Sequence, residues 1–187
     1  MNPRSTNARV WPLLSLLVVA LTLFSGCQTV DWRQRLAAEL PVLGHRNWIV
    51  IADSAYPAQS GQGIETIYTG NSQLEVVREV LAALDKTKHV KPVIYLDAEL
   101  SRVPDALAPG VEKYRSDLKQ LLGARAAQTR PHMELIQRLD RTGTAFRVLI
   151  LKTDLVLPYT SVFLELDCGY WGPEQEKKLR EAIGRGN

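Results

Sequence analysis

Apolar residues recur along the chain in two patterns, short unbroken runs and longer stretches with helical spacing. Trp48–Ala52 reads WIVIA, an apolar run with β-branched residues that predicts a buried strand. Apolar positions three or four residues apart predict helices over 32–40, 72–85 and 111–122, and a charged helix follows Pro173. Further runs predict strands over 64–68, 92–96, 133–139, 146–151 and 161–167.

Short apolar strands that alternate with helices are typical of an α/β fold. We therefore expect a single α/β domain whose central sheet, mostly parallel or mixed, is flanked by helices. The domain boundaries predicted from the pattern are 27–170 for this domain and 171–187 for a C-terminal helical extension.

The N-terminal segment has a different pattern. Residues 1–9 carry Arg4 and Arg9 and no acid, residues 10–24 are almost wholly apolar, and Ser25 and Gly26 then precede Cys27. This order is that of a secretory signal, and small residues before a cysteine resemble the lipobox of bacterial lipoproteins. We expect residues 1–26 to be a lipoprotein signal peptide, with Cys27 as the lipidated residue. An uncleaved spanning helix is the alternative, but the apolar run is shorter than the roughly 20 residues that a bilayer requires.

Charge and cysteine content add further limits. The chain has 23 basic and 20 acidic side chains, and removal of Arg4 and Arg9 leaves 21 and 20, a net charge of +1. A nearly neutral domain lacks the excess of positive charge that is typical of nucleic-acid-binding domains. If Cys27 carries lipid, Cys168 has no partner for a disulfide within the chain, and a buried apolar role suits it. A Gln after Cys27 favours the periplasmic side of the outer membrane over the inner membrane, if Gram-negative sorting rules apply.

Few residues offer chemistry by position alone. Asp53 follows the strand WIVIA and Asp97 follows PVIYL, and ligands of open α/β sheets bind beyond the carboxyl ends of strands. Each aspartate has a second interpretation as a helix cap or turn residue, and His45, before the first strand, has one as a surface or capping group. His45, His89 and His132 are far apart in sequence and lack ligand spacing, so no metal is predicted.

Several motifs in a fixed order resemble the RbsD/FucU family of sugar mutarotases. Leu43-Gly44-His45-x-Asn47 precedes an apolar strand, and Asp53-x-x-x-Pro57 follows it. Val111-Glu112-Lys113-Tyr114-Arg115 is similar to the family's V-E-x-x-Y-R helix. Pro158-Tyr159-x-Ser161 precedes the last strand, where the family has Tyr-x-Asn. The resemblance covers roughly residues 31–168.

The resemblance implies a monosaccharide substrate, acid/base exchange of anomers or ring forms, and no cofactor. It implies that His45 is the catalytic proton donor and that Asp53, Tyr159 and Ser161 bind the sugar. The family also has a His or Arg before the penultimate strand, for which Arg138 is the candidate. The family forms ring oligomers whose sites are shared between subunits, so we expect a homo-oligomer.

Two departures from the family pattern leave the function open. Asn47 replaces an Asp, and Ser161 replaces an Asn. The expected function is a mutarotase-like enzyme exported as a lipoprotein. A carbohydrate-binding lipoprotein without turnover and a structural ring-forming lipoprotein are the alternatives.

Overall fold

The computed structural model describes residues 31–184, which contain six strands, five α-helices and one 3₁₀ turn. The helices are α1 (Trp32–Glu39), α2 (Gln73–Leu84), α3 (Val111–Leu122), α4 (His132–Thr142) and α5 (Pro173–Gly184). The strands are β1 (Trp48–Ala52), β2 (Ile64–Tyr68), β3 (Val90–Asp97), β4 (Ala127–Arg130), β5 (Val148–Lys152) and β6 (Val162–Cys168). The 3₁₀ turn, Ala98–Arg102, follows β3 directly.

The strands form one mixed sheet in the order β2-β5-β1-β6-β3-β4. β1 and β2 each pair in parallel with β5, and β3 pairs in parallel with β4. β6 is antiparallel to both of its neighbours, β1 and β3. Five strands therefore run in the same direction, and the carboxyl ends of β1 and β3 lie at the same sheet edge as the amino end of β6.

Both faces of the sheet are buried. Ile49 and Ile51 of β1 point into a core formed with α1, α2 and α3, whereas Trp48 and Val50 point into a core formed with α4. The alternation follows from the two-residue period of a strand. It makes β1 wholly buried and accounts for its continuously apolar sequence.

The predicted fold class, a single domain with a mixed sheet flanked by helices, is confirmed. The strands predicted over 48–52 and 64–68 have the observed bounds, and that predicted over 92–96 lies within β3. The helix expected after Pro173 is α5, in which no residue is buried. No helix among residues 31–184 has both the length and the apolar character needed to cross a membrane.

The strand predicted over 133–139 is wrong, because these residues belong to α4. Leu135 and Leu139 are one helical turn apart and fully buried, while Met133 is exposed. The polar edge strand β4 was missed, since its sequence, AQTR, has three exposed residues and pairs only with β3. The predicted signal peptide 1–26 and Cys27 lie outside the described residues.

Candidate functional site

The carboxyl edge of the sheet gathers polar side chains from several chain segments. Asp53 follows β1, Asp97 ends β3, and His132 begins α4 two residues after β4. Tyr159 and Ser161 belong to the loop that leads into β6, the antiparallel strand. The parallel strand directions therefore bring together residues that are far apart in sequence, at the position where ligands of open α/β sheets bind.

Asp53 and Ser161 are in direct contact at this edge. The Ser161 hydroxyl donates to Oδ2 of Asp53 over 3.2 Å, and the backbone N–H of Ala55 donates to Oδ1 over 2.9 Å. Ser161 is buried, while Asp53 is half-buried. The two contacts fix the carboxylate and leave part of it open to solvent, so a ligand hydroxyl can also donate to it.

Asp97 and His132 form a second pair, which is less well satisfied. Nδ1 of His132 lies 3.1 Å from Oδ1 of Asp97, within ion-pair distance but without the alignment of a hydrogen bond. The Asp97 side chain has no exposed surface, whereas that of His132 is 31% exposed. Within residues 31–184, both carboxylate oxygens of Asp97 and Nδ1 of His132 are buried and lack a hydrogen-bond partner.

Burial raises the pKa of the Asp97 carboxyl from 3.8 to about 6. The nearby His132 acts in the opposite direction, while the negative charges of Glu99 and Asp53 add to the rise. Burial disfavours the charged form of a carboxyl, and the nearby carboxylates disfavour it further. A raised carboxyl pKa beside a histidine is a feature of many functional sites.

Glu99 holds the backbone of the same histidine. Both of its carboxylate oxygens accept the His132 backbone N–H, at 3.1 and 3.0 Å. The first N–H groups of a helix have no partner within the helix, and Pro131, which precedes α4, has no side chain that could cap them. The cap of α4 therefore comes from the 3₁₀ turn after β3, which also places His132 beside Asp97.

The ring of Tyr159 packs against the ring of His132. The two rings meet edge to face, with centroids 5.5 Å apart and an interplanar angle of 80°. Tyr159 has a φ of 58°, in the left-handed region that non-glycine residues rarely occupy. Such strain persists where surrounding contacts hold the backbone in place.

A buried network supplies those contacts at the next residue. The Thr160 carbonyl accepts the Tyr114 hydroxyl over 2.7 Å and also the side-chain amide of Gln73. The amide of Gln73 in turn donates to the Tyr114 oxygen over 2.9 Å. Helices α2 and α3 thus fix the backbone between Tyr159 and Ser161, and Tyr114 of the V-E-x-x-Y-R motif has a structural role here.

Tyr56 adds a further buried polar group behind Asp53. Burial, together with the charges of Asp140, Asp97 and Asp53, raises the pKa of the Tyr56 hydroxyl above its usual range. That hydroxyl has no hydrogen-bond partner among the residues that the structure describes. The phenol is therefore neutral and able to donate.

His45 lies at the opposite edge of the sheet. It precedes β1, whereas Asp53 follows β1, and a five-residue strand is about 16 Å long. The His45 side chain is 63% exposed, and its Nε2 is 3.6 Å from Asp167 near the end of β6. His45 and Asp53 therefore belong to different ends of the sheet within one chain.

Asn47 organises the turn that carries His45. Its side-chain oxygen accepts the Gly44 N–H over 2.7 Å, and its side-chain amide donates to the Arg147 carbonyl over 3.4 Å. The replacement of the family's Asp by Asn47 thus provides a donor for the neighbouring chain segment.

Arg138, the candidate for the family's third position, is engaged on the α4 face of the sheet. Its Nη2 donates to Glu165 over 2.8 Å, and its guanidinium carbon lies 5.2 Å from the Trp48 ring centroid and 4.9 Å from that of Tyr95. Glu165 pairs with Trp48, at the start of β1, so Arg138 is displaced from the edge that carries Asp53. Among residues 31–184, no three His, Cys, Asp or Glu side chains are placed to hold a metal ion.

A model of the RbsD / FucU transport protein family matches residues 33–168. The chain belongs to this family. The match spans the whole sheet and all the residues of the carboxyl edge. A search of curated proteins gives no significant match to the chain.

Three solved structures are similar to this chain, and the fold is shared with the first of them. RbsD of Bacillus subtilis, solved in complex with D-ribose, has a TM-score of 0.50 and 20% identity, covering 74% of this chain and 93% of RbsD. FucU from Bifidobacterium longum has a TM-score of 0.48 and 20% identity, with coverages of 71% and 92%. The fucose mutarotase of Streptococcus pneumoniae, solved in complex with L-fucose, has a TM-score of 0.48 and 18% identity, with coverages of 70% and 89%.

His132, Glu99 and Tyr56 were missed as residues of this edge by sequence reasoning. The spacing of His132 from the other histidines indicates no metal site, and the strand predicted over 133–139 leaves no helix start at this position. A helical reading of Leu135 and Leu139 after Pro131 would have placed His132 at that start. Asp97 was noted as a strand-end residue, but no sequence feature distinguished it from a cap.

Proposed function

We propose that this protein is a mutarotase-like enzyme that interconverts the anomers or ring forms of a monosaccharide, and that it is exported as a lipoprotein. The observation that carries the proposal is the gathering of Asp53, Ser161, His132 and Tyr159 at the carboxyl edge of the sheet in a member of the RbsD/FucU family. Carboxylate, hydroxyl and imidazole groups suit a ligand with many hydroxyls. RbsD of Bacillus subtilis, which was solved in complex with D-ribose, supports this ligand class.

In this proposal Asp53 accepts hydrogen bonds from sugar hydroxyls, and Tyr159 and Ser161 contact the sugar from the last loop. His132 fills the family's position of a His or Arg before the penultimate strand, because it starts the helix that precedes β5. Arg138 suits that position less well, since Glu165 and two aromatic rings already engage it.

His45 is the proposed proton donor to the ring oxygen. Because it lies about one strand length, roughly 16 Å, from Asp53 in the same chain, the proposal requires a ring oligomer in which His45 of the partner subunit reaches the site. Its exposure leaves it available for such a contact.

A carbohydrate-binding protein without turnover is the second candidate. Ser161 already donates its hydroxyl proton to Asp53, and Asn47 is bound to backbone groups of its own turn. Ser161 then offers the sugar less than the family's Asn would, and the neutral Asn47 does not supply the charge that the family's Asp would place near the histidine.

Saturation-transfer NMR on the full-length chain with D-ribose and L-fucose separates the candidates. We expect faster anomer exchange that is lost in His45→Ala and kept in Lys88→Ala, a control at an exposed position near the same sheet edge. Binding without exchange would favour the second candidate. Absence of both binding and anomer exchange would favour a structural ring-forming lipoprotein. Measurement of the size of the assembly in solution would then test whether a ring forms.

The proposed anchor is lipid on Cys27, which places the domain at the periplasmic side of the outer membrane. Incorporation of labelled palmitate should require Cys27 and disappear in Cys27→Ser. Equal incorporation in the variant would contradict the lipoprotein proposal and leave the enzymatic one untouched.

A further inference from the structure

Asp97 is a buried carboxylate at the carboxyl edge of the sheet that the proposed sugar contacts do not use. It has no exposed side-chain surface, and His132 is the one basic side chain among residues 31–184 in ion-pair contact with it. Arg130, its register partner on β4, instead donates to Gln128 and the Thr129 carbonyl and pairs with Glu134. A buried carboxylate without a full set of donors is costly, so its presence at this edge calls for a functional explanation.

We propose that Asp97 is a positioning residue that orients His132 so that Nε2 of its ring serves as the base of the site. This inference rests on the mutarotase function proposed above. A carboxylate against Nδ1 favours the tautomer whose proton lies on Nδ1, which leaves the lone pair on Nε2. Nδ1 is buried while the His132 side chain as a whole is 31% exposed, so the exposed part of the ring lies away from Asp97 and is open to a ligand.

The chemistry needs both an acid and a base. Nε2 of His132 removes the proton of the anomeric hydroxyl, the bond between the anomeric carbon and the ring oxygen breaks, and a carbonyl forms at that carbon. The ring oxygen takes a proton from the acid, assigned above to His45 of the partner subunit. Reclosure on either face of the carbonyl reverses both proton transfers, so every atom and proton is returned.

The environment of the pair suits a base that gains charge. The imidazolium formed in this step stands 3.1 Å from the Asp97 carboxylate, in surroundings where an opposite charge is strongly felt. Asp53 from the end of β1, Glu99 from the 3₁₀ turn and Tyr159 from the last loop are ionisable groups near the pair. The buried hydroxyls of Tyr56 and Tyr114 also interact with the charge of Asp97. Hydrogen bonds of catalytic groups are often poorly aligned without substrate and tighten when it binds, which accounts for the unaligned contact.

The test is a comparison of Asp97→Asn, His132→Gln and the double variant in the full-length chain, by anomer exchange of D-ribose and L-fucose. We expect Asp97→Asn to lower kcat about 10- to 100-fold with little change in KM, because acid/base catalysis contributes about 10²–10⁴-fold. His132→Gln should lose at least as much, and the double variant no more than His132→Gln alone, since Asp97 acts only through the histidine. Asp85→Asn, which removes an exposed carboxylate paired with Arg125, is the matched control and should retain activity.

A double variant about tenfold below His132→Gln would overturn the positioning role. A second measurement does not depend on turnover: the titration of the Asp97 carboxyl followed by ¹³C NMR. Its pKa should rise further in His132→Gln, because His132 favours the charged form. An unchanged Asp97 titration would overturn the pairing. The two proposals can also fail separately. If the wild type binds sugar but does not exchange its anomers, the mutarotase function and the base role of His132 are overturned. A rise of the Asp97 pKa in His132→Gln would still support the pairing.

Discussion

Two acid–base pairs pack against the same sheet, and they differ in how well their hydrogen bonds are satisfied. Glu165 accepts both the guanidinium of Arg138, over 2.8 Å, and the hydroxyl of Tyr95, over 3.1 Å, and aromatic rings flank the arginine. Asp97 is more deeply buried, yet the one basic side chain of residues 31–184 that is close to it, His132, lies at 3.1 Å without hydrogen-bond alignment. The first pair has the features of a structural contact, and the second resembles a site that is completed by a ligand. The comparison can be tested by replacing each carboxylate with the corresponding amide, which removes its charge.

The largest expected change is a gain in stability when Asp97 is replaced by Asn. The folded-state pKa of Asp97, about 6, is above its unfolded value of 3.8, so the folded state is favoured by protonation, and this contribution is lost as the pH rises from about 4 through about 6. Above that range Asp97→Asn should be more stable than the wild type by about 1–3 kcal/mol. Urea unfolding of both proteins at pH 8 and pH 4 measures the difference in the free energy of unfolding. An equal gain at both pH values would contradict a raised pKa of Asp97 in the folded state.

Glu165→Gln should have the opposite sign. Glu165 is partly exposed, and both of its hydrogen bonds come to one oxygen, so the amide weakens a charge-assisted contact that the fold uses. We expect a loss of about 1–2 kcal/mol, after allowance for solvent screening. The same urea experiment at pH 8 provides the measurement. A gain in stability of Glu165→Gln would contradict the view that the pair of Arg138 and Glu165 is structural and the pair of His132 and Asp97 is not.

Ser161→Ala tests how strongly the other aspartate of the carboxyl edge depends on its neighbour. The buried hydroxyl donates to Asp53 over 3.2 Å, a long hydrogen bond, so its loss should cost about 1 kcal/mol or less. Asp53 would then have one fewer internal donor and a greater capacity for ligand hydroxyls. Thermal unfolding with and without D-ribose measures both effects; a loss above about 3 kcal/mol would mean that the contact is structural.

His45→Ala should change the stability least, by about 0.5 kcal/mol or less. The side chain is 63% exposed, and its contact with Asp167 is 3.6 Å long. Thermal unfolding of the variant at pH 7 is sufficient. A larger loss, if it depends on protein concentration, would indicate that His45 is already buried between subunits.

The apolar strands of the fold were predictable from the sequence, but the contacts between distant segments were not. Trp48–Ala52 is buried on both faces, so its apolar run identifies it directly. β4 carries no such signal, because an exposed edge strand needs no apolar residues. The start of α4 was hidden for another reason: its cap is Glu99, 33 residues earlier, and tertiary capping leaves no local motif.

The candidate site shows the same limit. Asp53, Tyr159 and Ser161 were identified through short motifs, and the structure places them at one sheet edge. The pairing of Asp97 with His132 depends on a parallel strand pair between β3 and β4, a long-range feature that neither segment's sequence encodes alone. The distance of His45 from Asp53 in the chain follows simply from their positions before and after the same strand.

The segment from Asp97 to Glu99 holds His132 at two points, the ring through Asp97 and the backbone through Glu99. The histidine is therefore restrained at its backbone and at its ring before any ligand arrives. Ordering of the reacting groups before the substrate binds lowers the barrier of the chemical step rather than the free energy of binding. Substitutions of Asp97 or Glu99 should therefore lower turnover more than ligand affinity, although neither side chain is a proposed ligand contact.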